Sequence, residues 1–165
     1  MSLFITRYLR GMFYYSPHVD YSNKTLHMRI NIMSLAKDSG FNSKALAMTG
    51  FKAADNILSS RGCTAQQSQK ILKLSKSSYH KFKADPETTK LSDDQLERVS
   101  YILNMHQALR IVFSNPANVS GFMSMKNNND YFAGHTPLEI IESGKFGDLY
   151  EVARRVDALR GGLWG

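Results

Sequence analysis

Three observations predict an all-α fold. Capping signatures recur along the chain: Thr64 with Gln67, Ser92 with Gln95, Thr136 with Glu139, and Asp148 with Glu151. Each pairs an oxygen-bearing first residue with a Glu or Gln three positions on, so two orphan N–H groups are satisfied at a helix start. Apolar residues between these signals recur at helical spacing. No alternating strand pattern of useful length occurs, and no repeat at solenoid periods. The predicted architecture is a helix-turn-helix region joined by a long helix to a small helical domain.

The elements follow in order. Residues 1–42 read as a poorly defined N-terminal extension; residues 1–27 are expected to be a terminal arm or an upstream extension, with Phe13, Tyr14 and Tyr15 crowded before Ser16-Pro17. A helix is predicted over 45–60, with Phe51, Ala54, Ile57 and Leu58 on its apolar face, closed by Arg61-Gly62-Cys63. Thr64 caps a second helix running to about Leu72. Lys73-Leu74-Ser75 forms a turn, and a third helix runs from Lys76 to about Phe82, stopped by Asp85-Pro86. Ser92 caps a long helix whose buried side is Leu96, Val99, Ile102, Leu103, Leu109, Val112 and Phe113, with Asn115-Pro116 as its end. Lys126 to Asp130 is a loop by composition. Thr136-Pro137 opens the next helix. Asp148 is expected to cap the last, with Leu149, Val152, Val156 and Leu159 on one face and Gly161-Gly162 as its stop. The predicted division is 43–91 for the helix-turn-helix domain and 92–165 for the linking helix and C-terminal domain.

The charge is lopsided. Residues 1–85 carry 13 Lys/Arg against 4 Asp/Glu, whereas 86–165 carry 8 against 10, within a net charge of +7. A basic half beside a near-neutral half suggests two partner surfaces, the basic one for a polyanion; a generic basic protein is the alternative. One cysteine, Cys63, excludes an internal disulfide and fits a reducing, cytoplasmic setting. The apolar start is broken by Arg7 and Arg10 and is too short to span a membrane. His18, His27, His80, His106 and His135 show no metal-ligand spacing. Asp93 and Asp94 sit where acids favour a helix dipole. No catalytic residue, metal or cofactor is expected, and the chain reads as a non-enzyme.

Residues 64–83, TAQQSQKILKLSKSSYHKFK, have the layout of a helix-turn-helix. In such a unit the second helix enters the major groove and its N-terminal side chains meet base edges. The candidate DNA-binding residues are Lys76, Ser77, Ser78, His80, Lys81 and Lys83, while Ile71, Leu72, Leu74, Tyr79 and Phe82 join the two helices. An ordinary helical pair with a solvated lysine face gives the same pattern.

This segment resembles the Xre-like helix-turn-helix of the Xre/MbcA/ParS antitoxins, whose second helix reads Ser-x-x-Thr-x-x-x-Trp. Ser75, Ser78 and Phe82 take those positions here. Lys73 stands where a small turn residue is usual, Gln69 where Ala is usual, and Phe82 where Trp is usual. A left-handed turn at Lys73 costs about 1 kcal/mol. The likeness extends from about Phe41 to Trp164. It is most specific at TPLEIIESGKFGDLYEVARRVDALRGG, which resembles the toxin-binding domain of that family.

The resemblance implies a cognate RES-domain toxin that consumes NAD or uses it to modify a protein. The antitoxin would occupy the toxin's active-site mouth, bind operator DNA to repress its own operon, and act as a homodimer within a larger complex. Arg154, Arg155, Arg160, Gly161, Gly162, Leu163 and Trp164 are the candidate toxin-binding residues. Arginines suit bidentate pairing with acidic groups at a pocket rim, and Trp suits an interface anchor. Two bland readings stand beside this one: a solvated arginine face with Arg155 paired to Glu151, and Trp164 folded onto its own core. A solitary helix-turn-helix regulator without a toxin is the alternative function.

Overall fold

The structure, a computed structural model, describes residues 43–161. The expectations for residues 1–42 and for Gly162, Leu163 and Trp164 lie outside the described residues. Among the described residues there are seven α-helices, three short 3-10 turns and no strand.

Helix α1, Ser43–Ser60, turns Ala47, Phe51, Ala54, Ile57 and Leu58 inward. Thr64 caps α2, Ala65–Leu72, through the reciprocal bonds its sequence predicts. Ser75 caps α3, Lys76–Ala84, by accepting from the Ser78 amide at 3.1 Å. Asp85-Pro86 then starts a 3-10 turn, Pro86–Thr88. Ser92 and Gln95 form the predicted box at the head of α4, Asp93–Val112. Short helices α5, Pro116–Gly121, and α6, Pro137–Ile141, precede α7, Phe146–Ala158. Thr136 and Glu139 cap α6 as predicted.

Helix α4 is the axis of the unit. It packs against α1 and against α7, so apolar groups are wanted on more than one side. Its buried residues are Arg98, Val99, Ile102, Met105, Ala108 and Leu109. The predicted Leu96, Leu103, Val112 and Phe113 are only half-buried, because Arg98, Met105 and Ala108 take part of the seam. Phe146 meets Tyr101 at 5.7 Å and Tyr150 meets it at 6.0 Å, ring centre to ring centre. The turn after α7, Leu159–Gly161, still touches α4.

Two boundaries differ from the sequence reading. Asn115-Pro116 begins a helix instead of only ending one: Asn115 Oδ1 accepts from the Ala117 amide at 2.9 Å and Pro116 takes the first position of α5. Asp148 does not cap α7. That helix starts three residues earlier than predicted, with Lys145 at the cap position and no side-chain cap bond. Ser143 does the local work, accepting from the Lys145 amide at 3.0 Å and donating to Asp148 at 2.6 Å. The earlier start accompanies the packing of Phe146 on Tyr101 and within 5.5 Å of the Arg98 guanidinium, contacts of the same magnitude as one cap. The predicted face of Leu149, Val152, Val156 and Leu159 is buried throughout. Helix α7 ends at Ala158, and Gly161 closes a 3-10 turn after it.

Candidate functional site

The turn between α2 and α3 is built as its sequence demands. Lys73 adopts φ 55°, ψ 38°, the left-handed conformation. Its N–H donates to Lys70 and the Leu74 N–H donates to Gln69 at 2.9 Å, a Schellman closure of α2. The Lys73 carbonyl accepts from Gln95 Nε2 at 2.8 Å, while Gln95 Oε1 accepts from the Ser92 amide. One glutamine thus caps α4 and braces the turn. Ile71, Leu72, Leu74, Tyr79 and Phe82 are all buried, joining α2 to α3 as expected.

On α3, Lys76, Ser77, His80 and Lys81 are exposed. Ser78 is half-buried, and the Ser75 hydroxyl donates to its oxygen at 2.9 Å. Lys83 is different. Its ammonium lies 3.0 Å from Asp55, an α1 carboxylate only 6% exposed, which also accepts from the Tyr79 hydroxyl. The hydrogen bond to Asp55 pushes Lys83 above its ordinary range. Burial pushes the Tyr79 phenol up, and Asp55 adds to it through its hydrogen bond and charge. Sequence reasoning missed Asp55; the one available signal was an acid set between Ala54 and Ile57 on an apolar face.

Arg98 is the second group that sequence reasoning missed. At 3% exposure it donates from Nη1 to the Ile71 carbonyl at 3.2 Å and the Gly144 carbonyl at 3.1 Å, with Nε on Asp94 at 2.9 Å. Gln67 adds a bond from Nε2 to Glu142 at 2.6 Å. The α6–α7 connection is therefore fastened to both ends of α2. Gly144 makes this possible. It has φ +70°, and a Cβ there would fall 2.8 Å from the Lys70 carbonyl oxygen.

A third cluster lies at the end of α1. Arg61 donates from Nη2 to His106 Nδ1 at 3.2 Å. Burial lowers Arg61 to about 10. Burial lowers His106 as well, and the charges of Arg61 and Arg110 lower it further. The Cys63 thiol is pushed up to about 11 by burial and then by Glu142, which leaves it a poor nucleophile at neutral pH.

The α7 arginines are partly engaged. Arg154 bonds Glu151 at 3.0 Å, and Arg155 lies 3.9 Å from the same carboxylate. The Arg155 guanidinium sits 4.1 Å from the Tyr131 ring centre, a cation–π contact that ties α7 to the 126–135 loop. Arg160 pairs with Asp157. Gly161 is exposed. Tyr131 was missed, since an aromatic pair, Tyr131-Phe132, in a polar loop gives no periodic signal. That loop is ordered by its own asparagines: Asn127 Oδ1 accepts from the Asn129 amide at 3.0 Å, and Asn129 Oδ1 accepts from the Phe132 amide at 3.1 Å. Among the described residues no group of three or more His, Cys, Asp or Glu is placed to hold a metal ion. None of the described helices is long and apolar enough to cross a membrane.

A helix-turn-helix with an exposed basic second helix, fastened to a small helical domain, defines a class of two-part regulator. The comparisons give the family. Residues 40–104 match the antitoxin Xre-like helix-turn-helix domain, and residues 108–162 match the antitoxin Xre/MbcA/ParS C-terminal toxin-binding domain. The chain belongs to the Xre-type antitoxins. It is 36% identical over 72 residues to the uncharacterized protein y4oB of Sinorhizobium fredii (strain NBRC 101917 / NGR234), a stretch covering 44% of this chain and 54% of that protein. The chain thus spans about half the length of that curated relative. No solved structure matches it.

Proposed function

We propose that this chain neutralises a RES-domain toxin that consumes NAD, and that it represses its own operon. The observation that carries the reading is the toxin-binding domain match over 108–162 together with the arginines near its end, of which Arg154 is exposed and Arg155 and Arg160 are half-buried. A toxin that binds a dinucleotide needs a polar, charged pocket mouth. Arg154, Arg155 and Arg160 supply cations for acidic groups at such a rim, and Gly161, Gly162, Leu163 and Trp164 supply the chain that enters or covers it. Tyr131 lies beside Arg155, its ring centre 4.1 Å from the guanidinium.

The DNA half of the reading rests on α3. Its exposed Lys76, Ser77, His80 and Lys81 suit phosphate and base-edge contacts, with Ser78 at the helix start. A homodimer is expected because a two-fold operator requires one. The test is co-expression with the adjacent open reading frame, co-purification and an NAD-consumption assay. A stable complex whose NAD turnover appears only once this chain is removed is the expected result. No complex, with retention on DNA instead, leaves a solitary transcriptional regulator. Deleting Gly161 to Gly165 should abolish neutralisation without unfolding the chain; protection by the truncated protein would show that the tail is not the blocking element.

A further inference from the structure

We infer that Asp55 is a positioning residue for α3, fixing its rotation about its own axis and withholding Lys83 from DNA. The inference rests on the DNA-binding reading above.

A carboxylate buried on an apolar helix face is costly unless it is paired. Asp55 divides its two oxygens between Tyr79 and Lys83, both on α3. At about 100° per residue, Lys83 lies only about 40° from Tyr79 around the helix, whereas Lys81 lies about 160° away. Periodicity therefore places Lys83 towards α1, where its side chain is still 46% exposed, and Lys81 on the opposite side. The ammonium is also 5.4 Å from the Tyr79 ring centre. Phe51 reaches across from α1 to meet Tyr79 edge-on at 5.9 Å and Phe82 at 5.7 Å. Those ring contacts bury α3 but tolerate sliding. The two bonds to one carboxylate are directional and do not. They set which way Ser77, His80 and Lys81 point. Lys83 already faces the Asp55 carboxylate, so it neutralises no phosphate unless it leaves that partner, and it releases no counterion from the DNA.

The experiment uses the full chain and two duplexes, the DNA upstream of its own gene and a scrambled sequence of the same composition, with affinity measured against salt. Lys81→Ala should lower the logarithmic salt slope by about one, as loss of one phosphate contact does. Lys83→Met should leave the slope unchanged. Asp55→Asn should raise it by up to about one, by releasing Lys83, and should narrow the ratio between the two duplexes. A fall of about one with Lys83→Met overturns the inference. So does an Asp55→Asn chain that is destabilised yet keeps both slope and ratio, since that is what a merely structural carboxylate would do. If Asp55→Asn does not fold, Lys83→Met decides alone. A wild-type chain that binds neither duplex refutes the DNA reading, and the pairing is then judged by urea midpoints. An Asp55→Asn/Lys83→Met double variant no less stable than Asp55→Asn supports it; additive shifts overturn it.

Discussion

Gly144→Ala tests the joint between the two halves of the antitoxin. Two costs combine at this position. The φ of +70° is left-handed, which costs an L side chain about 1 kcal/mol. The added Cβ would also stand 2.8 Å from the Lys70 carbonyl oxygen, a backbone atom that cannot swing aside. The α6–α7 turn must then lift from α2, which lengthens the 3.1 Å bond from Arg98 to the Gly144 carbonyl. A charged hydrogen bond of this kind contributes about 1.5–3 kcal/mol. The expected loss is roughly 3 kcal/mol, a large share of the 5–15 kcal/mol typical of a domain. With a urea m-value of about 1–3 kcal/mol/M, the midpoint should fall by roughly 1–3 M at unchanged m. Gly62→Ala is the internal control. Its φ is +83°, but nothing lies within 4 Å of the added Cβ, so only the backbone cost of about 1 kcal/mol remains. Urea titration of both variants by circular dichroism separates the terms. Equal midpoint shifts for the two variants would refute the close approach as the reason for Gly144.

Three further outcomes are expected. Lys73→Gly should stabilise the chain by about 0.5–1 kcal/mol, because it relieves a left-handed lysine at the α2–α3 turn; a lower melting temperature would contradict that. His106 is held below its ordinary value, so the folded state binds fewer protons than the unfolded chain as pH falls below about 6.5. Its contribution is complete above that pH and is lost on acidification, so the urea midpoint should drop as pH falls through about 6.5, and His106→Gln should flatten that drop. Arg155→Ala should weaken toxin capture about tenfold or more by removing the group stacked on Tyr131 while leaving helix content unchanged; unchanged capture in a pull-down would remove Arg155 from the interface.

The helix starts at Thr64, Ser92 and Thr136 were legible because a capping box is a local contract between residues three apart, and no distant contact is needed to satisfy it. The buried contacts of α2 with α3 followed from the helix-turn-helix layout of residues 64–83, and the left-handed Lys73 from the place it takes in the family's turn. The α7 core face followed from spacing alone. Three-dimensional packing decided the rest. The predicted cap at Asp148 gave way to an earlier start in which Phe146 meets a long-range partner, Tyr101, and Asp148 accepts from Ser143 instead. Asp55 and Arg98, which sequence alone would place in solvent, are buried because groups 24 to 46 residues away complete their hydrogen bonds. Lys83 reads in sequence as one more lysine on a basic helix. Only the fold shows its ammonium at a carboxylate of α1, because a charge takes its partner from what lies beside it in space, and sequence order does not record that.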